Sequence, residues 1–233
     1  MLNTSTIYQV VYDYLINKEG IKDLDDQLAK GIWDATDPTK TTDRGVPALI
    51  ALCAALRNDM RREANKANGK ANIEKAMRAI IKNAPEYQEH LQGAIVIDGK
   101  QYVSDGYRAI RLNTPIDFPA PPVPCTIDFV RFFTEAQRDA TTPLKTPALA
   151  ELKTYIKITK AENKAKYGKG ANEQCILWDF GEGRPVVNAV YLLDILTAFP
   201  HATITFSTLT APLYFSHING EALLMPIKRD NKA

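Results

Sequence analysis

The chain is poor in the residues that most site chemistries require. Its three histidines, His90, His201 and His217, stand far apart with no His-Glu-x-x-His spacing, so they read as surface or strand histidines rather than metal ligands. Its three cysteines, Cys53, Cys125 and Cys175, are odd in number and lack metal-type spacing. That excludes a disulfide framework and reads as free thiols in a reducing compartment, the cytoplasm. Neither Gly181-Glu182-Gly183 nor Gly168-Lys169-Gly170 is followed by Gly-Lys-Ser/Thr, so neither is a phosphate loop, and no Gly-x-Ser-x-Gly elbow occurs. No catalytic residue, metal ligand or cofactor is therefore assigned, and a protein that is not an enzyme is expected. No apolar run approaches the ~20 residues of a membrane span, and Met1-Leu2-Asn3-Thr4 lacks the basic and apolar regions of a signal peptide. A formal charge of +2 leaves no global excess, so any nucleic-acid binding must come from local patches.

What the chain does have is a sizeable core: 233 residues at 45% hydrophobic, enough for one large domain or two small ones. Its character changes near residue 90. Before that point the pattern is helical. Ser5 is the expected cap of a helix in which Ile7, Val10, Val11, Tyr14 and Leu15 recur at helical spacing up to Gly20. A loop-like stretch over 21–45 comes next, with a short helical turn from Leu24 to Leu28, and Asp23, Asp25 and Asp26 read as a solvated acidic face. Pro47 suits the first turn of a helix that runs to Asn68-Gly69. Residues 1–70 are thus expected to form a helical N-terminal region.

A helix over about 71–84 places Ile73, Met77, Ile80 and Ala84 on one face and Lys75, Arg78 and Lys82 on the other. The three cations suit either a solvated face or a surface for phosphates, since phosphate neutralisation gives sequence-independent attraction. Pro85 ends this helix. Gly93 to Ile97, Lys100 to Ser104 and Tyr107 to Leu112 then read as antiparallel strands joined at Asp98-Gly99 and Asp105-Gly106.

The prolines from Pro115 to Pro124 predict a stiff connector. An insertion over about 126–170 is expected to be helical, first with a Thr126 cap before Ile127, Val130, Phe132 and Phe133, then with Leu149, Leu152 and Ile156. Lys153, Lys157, Lys160, Lys164, Lys166 and Lys169 make it the strongest basic stripe in the chain, read as a solvated helix and loop or as an auxiliary phosphate contact. Beyond it lies a second unit. Strand candidates at 175–180 and 185–188 precede an apolar helix from Ala189 to Phe199, whose main charge is Asp194, and three short strands come after it, with turns at Ala211-Pro212 and Asn219-Gly220.

Two segments carry a family resemblance. Tyr102-Val103-Ser104-Asp105-Gly106-Tyr107-Arg108-Ala109 resembles the Thr-Asp-Gly-aromatic-Arg-Leu-Ala signature of bacterial sliding clamps, the processivity factor or beta subunit of DNA polymerase III. The order from Val186-Val187-Asn188-Ala189 through Leu223-Leu224-Met225-Pro226-Ile227-Lys228-Arg229 resembles the end of the same family. The resemblance implies an α+β fold, with a DNA-clamp-like domain over 71–233 built from two helix-plus-antiparallel-strands units.

It also implies a non-enzymatic protein of DNA replication, a divergent relative of the kind a mobile element would encode. Its expected partners are duplex DNA, met without base reading by Lys75, Arg78 and Lys82, and short hydrophobic peptides of DNA polymerase or other replication proteins. Matched residue by residue, the peptide-binding walls are Gly106, Tyr107 and Arg108 together with Met225, Pro226, Ile227 and Lys228. Family members carry three such domains and close as dimers, so one domain per chain implies a homo-oligomer of about six copies for an equivalent ring. A monomer would instead be a peptide-binding adaptor or decoy that does not encircle DNA.

Overall fold

The computed structural model describes residues 3–21, 24, 25, 28, 45–67, 69–168, 170 and 175–228. Most of the loop expected over 21–45, together with Asp23, Asp26, Asn68, Lys169 and Arg229, lies outside the described residues. The chain is α+β. Helices α1 (Thr4–Asn17) and α2 (Gly45–Ala67) pack against each other and share an apolar cluster that includes Leu15, Leu24, Ile50 and Cys53. The cap of α1 is Asn3 rather than Ser5: the Asn3 side chain accepts the Thr6 N–H at 2.8 Å, satisfying one of the free amides of the first turn. Arg61 of α2 reaches Asp117 at 3.0 Å, and Asn65 donates to the buried Glu74 at 2.8 Å, fastening these helices to the remainder of the chain.

Helix α3 (Ala71–Asn83) leads into β1 (Ile95–Ile97), β2 (Lys100–Ser104) and β3 (Arg108–Leu112). Helix α4 (Phe129–Asp139), strand β4 (Thr142–Leu144) and helix α5 (Leu149–Tyr167) come next, and then the hairpin of β5 (Leu177–Asp179) and β6 (Val186–Asn188). Helix α6 (Ala189–Ala198) then leads into β7 (Thr203–Phe206), β8 (Leu213–His217) and β9 (Gly220–Leu224). A seven-stranded sheet runs in the order β1-β2-β3-β9-β8-β7-β4, antiparallel throughout. The two helix-plus-three-strands units meet at its centre, where β3 pairs with β9 from Arg108↔Leu224 to Leu112↔Gly220.

Strand alternation divides the side chains between two faces. Ile110, Leu112, Phe215, Ala222 and Leu224 point toward α3 and α6, joining Met77, Ile80, Leu192 and Ile195 in the main core. Tyr102, Ala109, Tyr214 and Leu223 point the other way, where α4 covers them with Phe129 and Phe133. The Tyr102 ring stacks on Phe129 at 5.7 Å and meets Phe133 edge-on at 5.8 Å. Under α4 the cross-strand neighbours Arg111 and Glu221 form an ion pair, with the Arg111 guanidinium 4.8 Å from the Phe133 ring. Burial, and then the nearby Glu221 carboxylate, push the Tyr214 phenol up to about 12, so it stays neutral in this dry layer.

The insertion differs from the expected all-helical segment. Strand β4 extends the main sheet by pairing with β7, and it tolerates Pro143 because it is the edge strand, where one side of the ladder has no partner. Asp128, not Thr126, caps α4, its side chain accepting the Arg131 N–H at 3.0 Å.

Gly220 is fixed by a close approach. A Cβ there would lie 2.2 Å from the Arg111 carbonyl oxygen and 3.1 Å from the Phe199 ring, so the β3–β9 pairing has no room for one. Gly220→Ala is expected to force the central strands apart and to lower the melting temperature by at least several degrees, read by thermal unfolding. A melting temperature equal to wild type would show that the joint is looser than this geometry.

Candidate functional site

The corner between β2 and β3 is built by its own side chains. Asp105 Oδ1 accepts the Tyr107 and Arg108 N–H groups at 3.0 and 2.9 Å, and Ser104 Oγ accepts the Gly106 N–H while donating to the Arg108 carbonyl. Gly106 takes φ +85°, which a side chain rarely adopts. These bonds turn the chain so that the Tyr107 side chain stands out, 58% exposed, while Arg108 points inward.

Arg108 is fully buried. Its Nε donates to Asp105 at 2.9 Å, its Nη1 to Asp194 of α6, and its Nη2 to the Ala79 carbonyl of α3 at 3.1 Å. The guanidinium also lies 4.1 Å from the Tyr191 ring. The Arg108 side chain, expected in a peptide-binding wall, thus has its Nε, Nη1 and Nη2 donors engaged inside the protein. Asp194, the main charge of its helix, is paired with Arg108.

The chain leaving β9 runs beside this corner. The Met225 N–H donates to the Tyr107 carbonyl at 2.8 Å, and two residues on the Ile227 N–H donates to the Val186 carbonyl of β6 at 2.8 Å. Pro226, with no N–H, lies between them. Two grooves flank this tail. One, of about 330 Å³, is lined by Gly106, Tyr107, Arg108 and Met225, together with Ile127, Phe129 and Phe132 around the start of α4 and with Pro212 and Leu223. The other, of about 290 Å³, is lined by Ile227 and Lys228 with Arg184, Pro185, Leu209 and Thr210.

The structure thus brings Gly106, Tyr107, Arg108 and Met225 together and places Ile227 and Lys228 in the neighbouring groove. Phe132, 53% exposed, completes the apolar groove and is a site residue that sequence reasoning misses. Its signal is a second phenylalanine beside Phe133, too bulky for both rings to fit one buried helical stripe.

The cations of α3 are elsewhere. Lys75 and Lys82 are exposed, whereas Arg78 donates twice to the buried Glu74 carboxylate, at 2.6 and 2.9 Å, and lies over Phe118 at 5.6 Å. Arg78 therefore serves the α3 structure rather than standing free with its two neighbours. No group of three or more His, Cys, Asp or Glu among the described residues is arranged to hold a metal ion, and no described helix is long and apolar enough to cross a membrane.

Removing Arg108 leaves Asp105, whose side chain is fully buried, without its cation. Losing one partner of such a buried pair costs about 3–5 kcal/mol. Arg108→Ala is expected to lose stability on that scale in urea unfolding, and more than Arg78→Ala, whose side chain is part-exposed. Equal losses for the two variants would contradict this placement of the buried charge.

No protein-family model matches the chain, and no curated protein matches it. Among solved structures it is similar to the DNA polymerase III beta subunit of Thermotoga maritima, at 13% sequence identity and a TM-score of 0.45, over 69% of this chain. The match spans 64% of that protein's length.

Proposed function

We propose that the chain is a divergent clamp-like protein of DNA replication that catalyses nothing and holds short hydrophobic peptides of replication proteins. In this reading it comprises a helical region over 1–70 and a clamp-like domain over 71–233 with an insertion at about 126–170, working in the cytoplasm. The observation that carries the proposal is the apolar groove of about 330 Å³ between Tyr107, Phe132 and Met225, three large side chains left 40–58% exposed around one concavity.

Exposed aromatic and methionine side chains grouped around a hollow mark a contact surface rather than a core defect. Methionine adapts its shape to varied apolar anchors, and the rigid corner beneath Tyr107 presents its ring without further ordering. Gly106, also in the lining, has open space beside it, with no atom within 4 Å of where its Cβ would be. Ile227 and Lys228 extend the surface past Pro226, giving a peptide a second apolar contact and a cation for a carboxylate.

A second reading, duplex DNA binding, is favoured by Lys75 and Lys82, which stand exposed on α3 one heptad apart. A homo-oligomer would be needed for one such domain to enclose DNA.

The peptide reading is tested by fluorescence anisotropy with a labelled peptide carrying a Leu-Phe pair. Met225→Asp is expected to weaken binding at least tenfold, about 1.4 kcal/mol or more, while Lys75→Glu leaves it unchanged. Peptide affinity indifferent to Met225→Asp would remove the groove from the function.

A further inference from the structure

We infer that helix α5 carries a binding surface for the phosphate backbone of duplex DNA, formed by Lys153, Lys157, Lys160 and Lys164. The inference rests on the DNA reading above and relocates its main contact from α3 to α5.

The four lysines are spaced four, three and four residues apart, which at 100° per residue places them within one narrow sector of the helix. All four are exposed, and none forms an ion pair among the described residues. The two acids of the helix, Glu151 and Glu162, fall on the opposite side by the same period. The stripe is therefore a line of like charge, about 16 Å long at 1.5 Å per residue, with nothing in it to offset the repulsion between neighbours.

The helix is anchored only near its start. Leu152 and Ile156 are its buried residues and pack into the main core, while from 157 to 167 every residue is exposed or only partly covered. A largely polar half-helix without ion pairs of its own gains little stability from its own body, so a ligand along it has something to stabilise. By contrast α3 offers only Lys75 and Lys82, because Arg78 is held by Glu74.

The chemistry of the stripe selects duplex DNA over other polyanions. Between Lys153 and Lys164 no aromatic side chain is interleaved with the lysines, and a lone exposed ring, Tyr167, stands at the end of that face, whereas single-strand binding surfaces interleave rings on which bases stack. Tyr155 falls on the opposite side by the helical period, where its hydroxyl donates to the Leu177 carbonyl at 2.7 Å. Of the aliphatic residues that a membrane-surface helix would insert, Leu152 and Ile156 are folded against the protein, and the exposed Ile158 stands by itself on the side away from the lysines. Lysine ammonium groups on flexible stems contact phosphates without reading bases.

The test measures the affinity of the full chain for a 30-base-pair duplex across salt concentrations, with circular dichroism and thermal unfolding confirming that each variant is folded. Wild type should bind with log affinity falling about 3–4 per unit of log salt. Replacing all four lysines with glutamine should weaken binding at least tenfold and flatten that slope. The pair Lys75→Gln and Lys82→Gln should change affinity less than threefold. Loss of binding in the α3 pair with the α5 quadruple variant unaffected would overturn the inference and leave the DNA reading standing. Absence of duplex binding by wild type at low salt would overturn both. Tighter binding of single-stranded DNA or of anionic phosphatidylserine vesicles through the same lysines would overturn the choice of duplex DNA.

Discussion

A single buried cation holds the two halves of the sheet-and-helix layer in register. Arg108 enters the core from the first residue of β3, opposite Leu224 of β9, and touches Asp105, Asp194, the Ala79 carbonyl and the Tyr191 ring. Taking a guanidinium out of water costs several kcal/mol, which is offset only when partners surround it with good geometry. Here those partners come from the corner, α3 and α6. Neither helix can slide against the other, nor the strand against either, without leaving a charge unpaired. A network of this kind specifies one arrangement more than it adds net stability.

The same network fixes what faces outward. Because Asp105 holds the Tyr107 and Arg108 amides, turning Arg108 inward obliges Tyr107 to point out, and the exposed ring is a consequence of the buried charge. The groove then needs only walls. Met225 is brought to it by the bond from its own N–H to the Tyr107 carbonyl, and α4 supplies the far side because Phe133 is drawn onto Tyr102 while Phe132, its neighbour, cannot share that contact.

Much of this architecture is legible in the sequence, because period and turn chemistry are local signals. The two helix-plus-strands units, the Asp98-Gly99 turn and the helix after Asn188 all stand where the pattern puts them. Caps are less legible: Asn3 and Ser5, or Thr126 and Asp128, offer similar side-chain oxygens within one turn, and only backbone direction decides between them. Strand β4 is hidden because Pro143 reads as a breaker unless the strand is known to be an edge. The role of Arg108 is hidden for a deeper reason. Its partner Asp194 lies 86 residues away, and nothing local shows that the arginine of an exposed-looking corner turns inward.

The repeat also explains how the two corners come to differ. The β3–β9 pairing centres on Ile110 and Ala222, so the two units are related about that point, and Arg108 is matched in position by Gly220. Where the first unit sends a guanidinium between the helices, the second has no side chain, and the Phe199 ring occupies the space beside Gly220. The exits correspond too: Met225 bonds to Tyr107, and Asn113 bonds to Asn219 at 3.1 Å. Yet the second corner is the two-residue Ile218-Asn219 turn, and the Asn113 side chain donates to the Ile218 carbonyl at 3.1 Å. Ile218 projects into solvent, 86% exposed, and it is not among the residues facing α4. Equivalent backbone positions thus carry different chemistry. One corner combines a buried charge, an outward ring and a helix wall, and the other closes the chain with the smallest turn available.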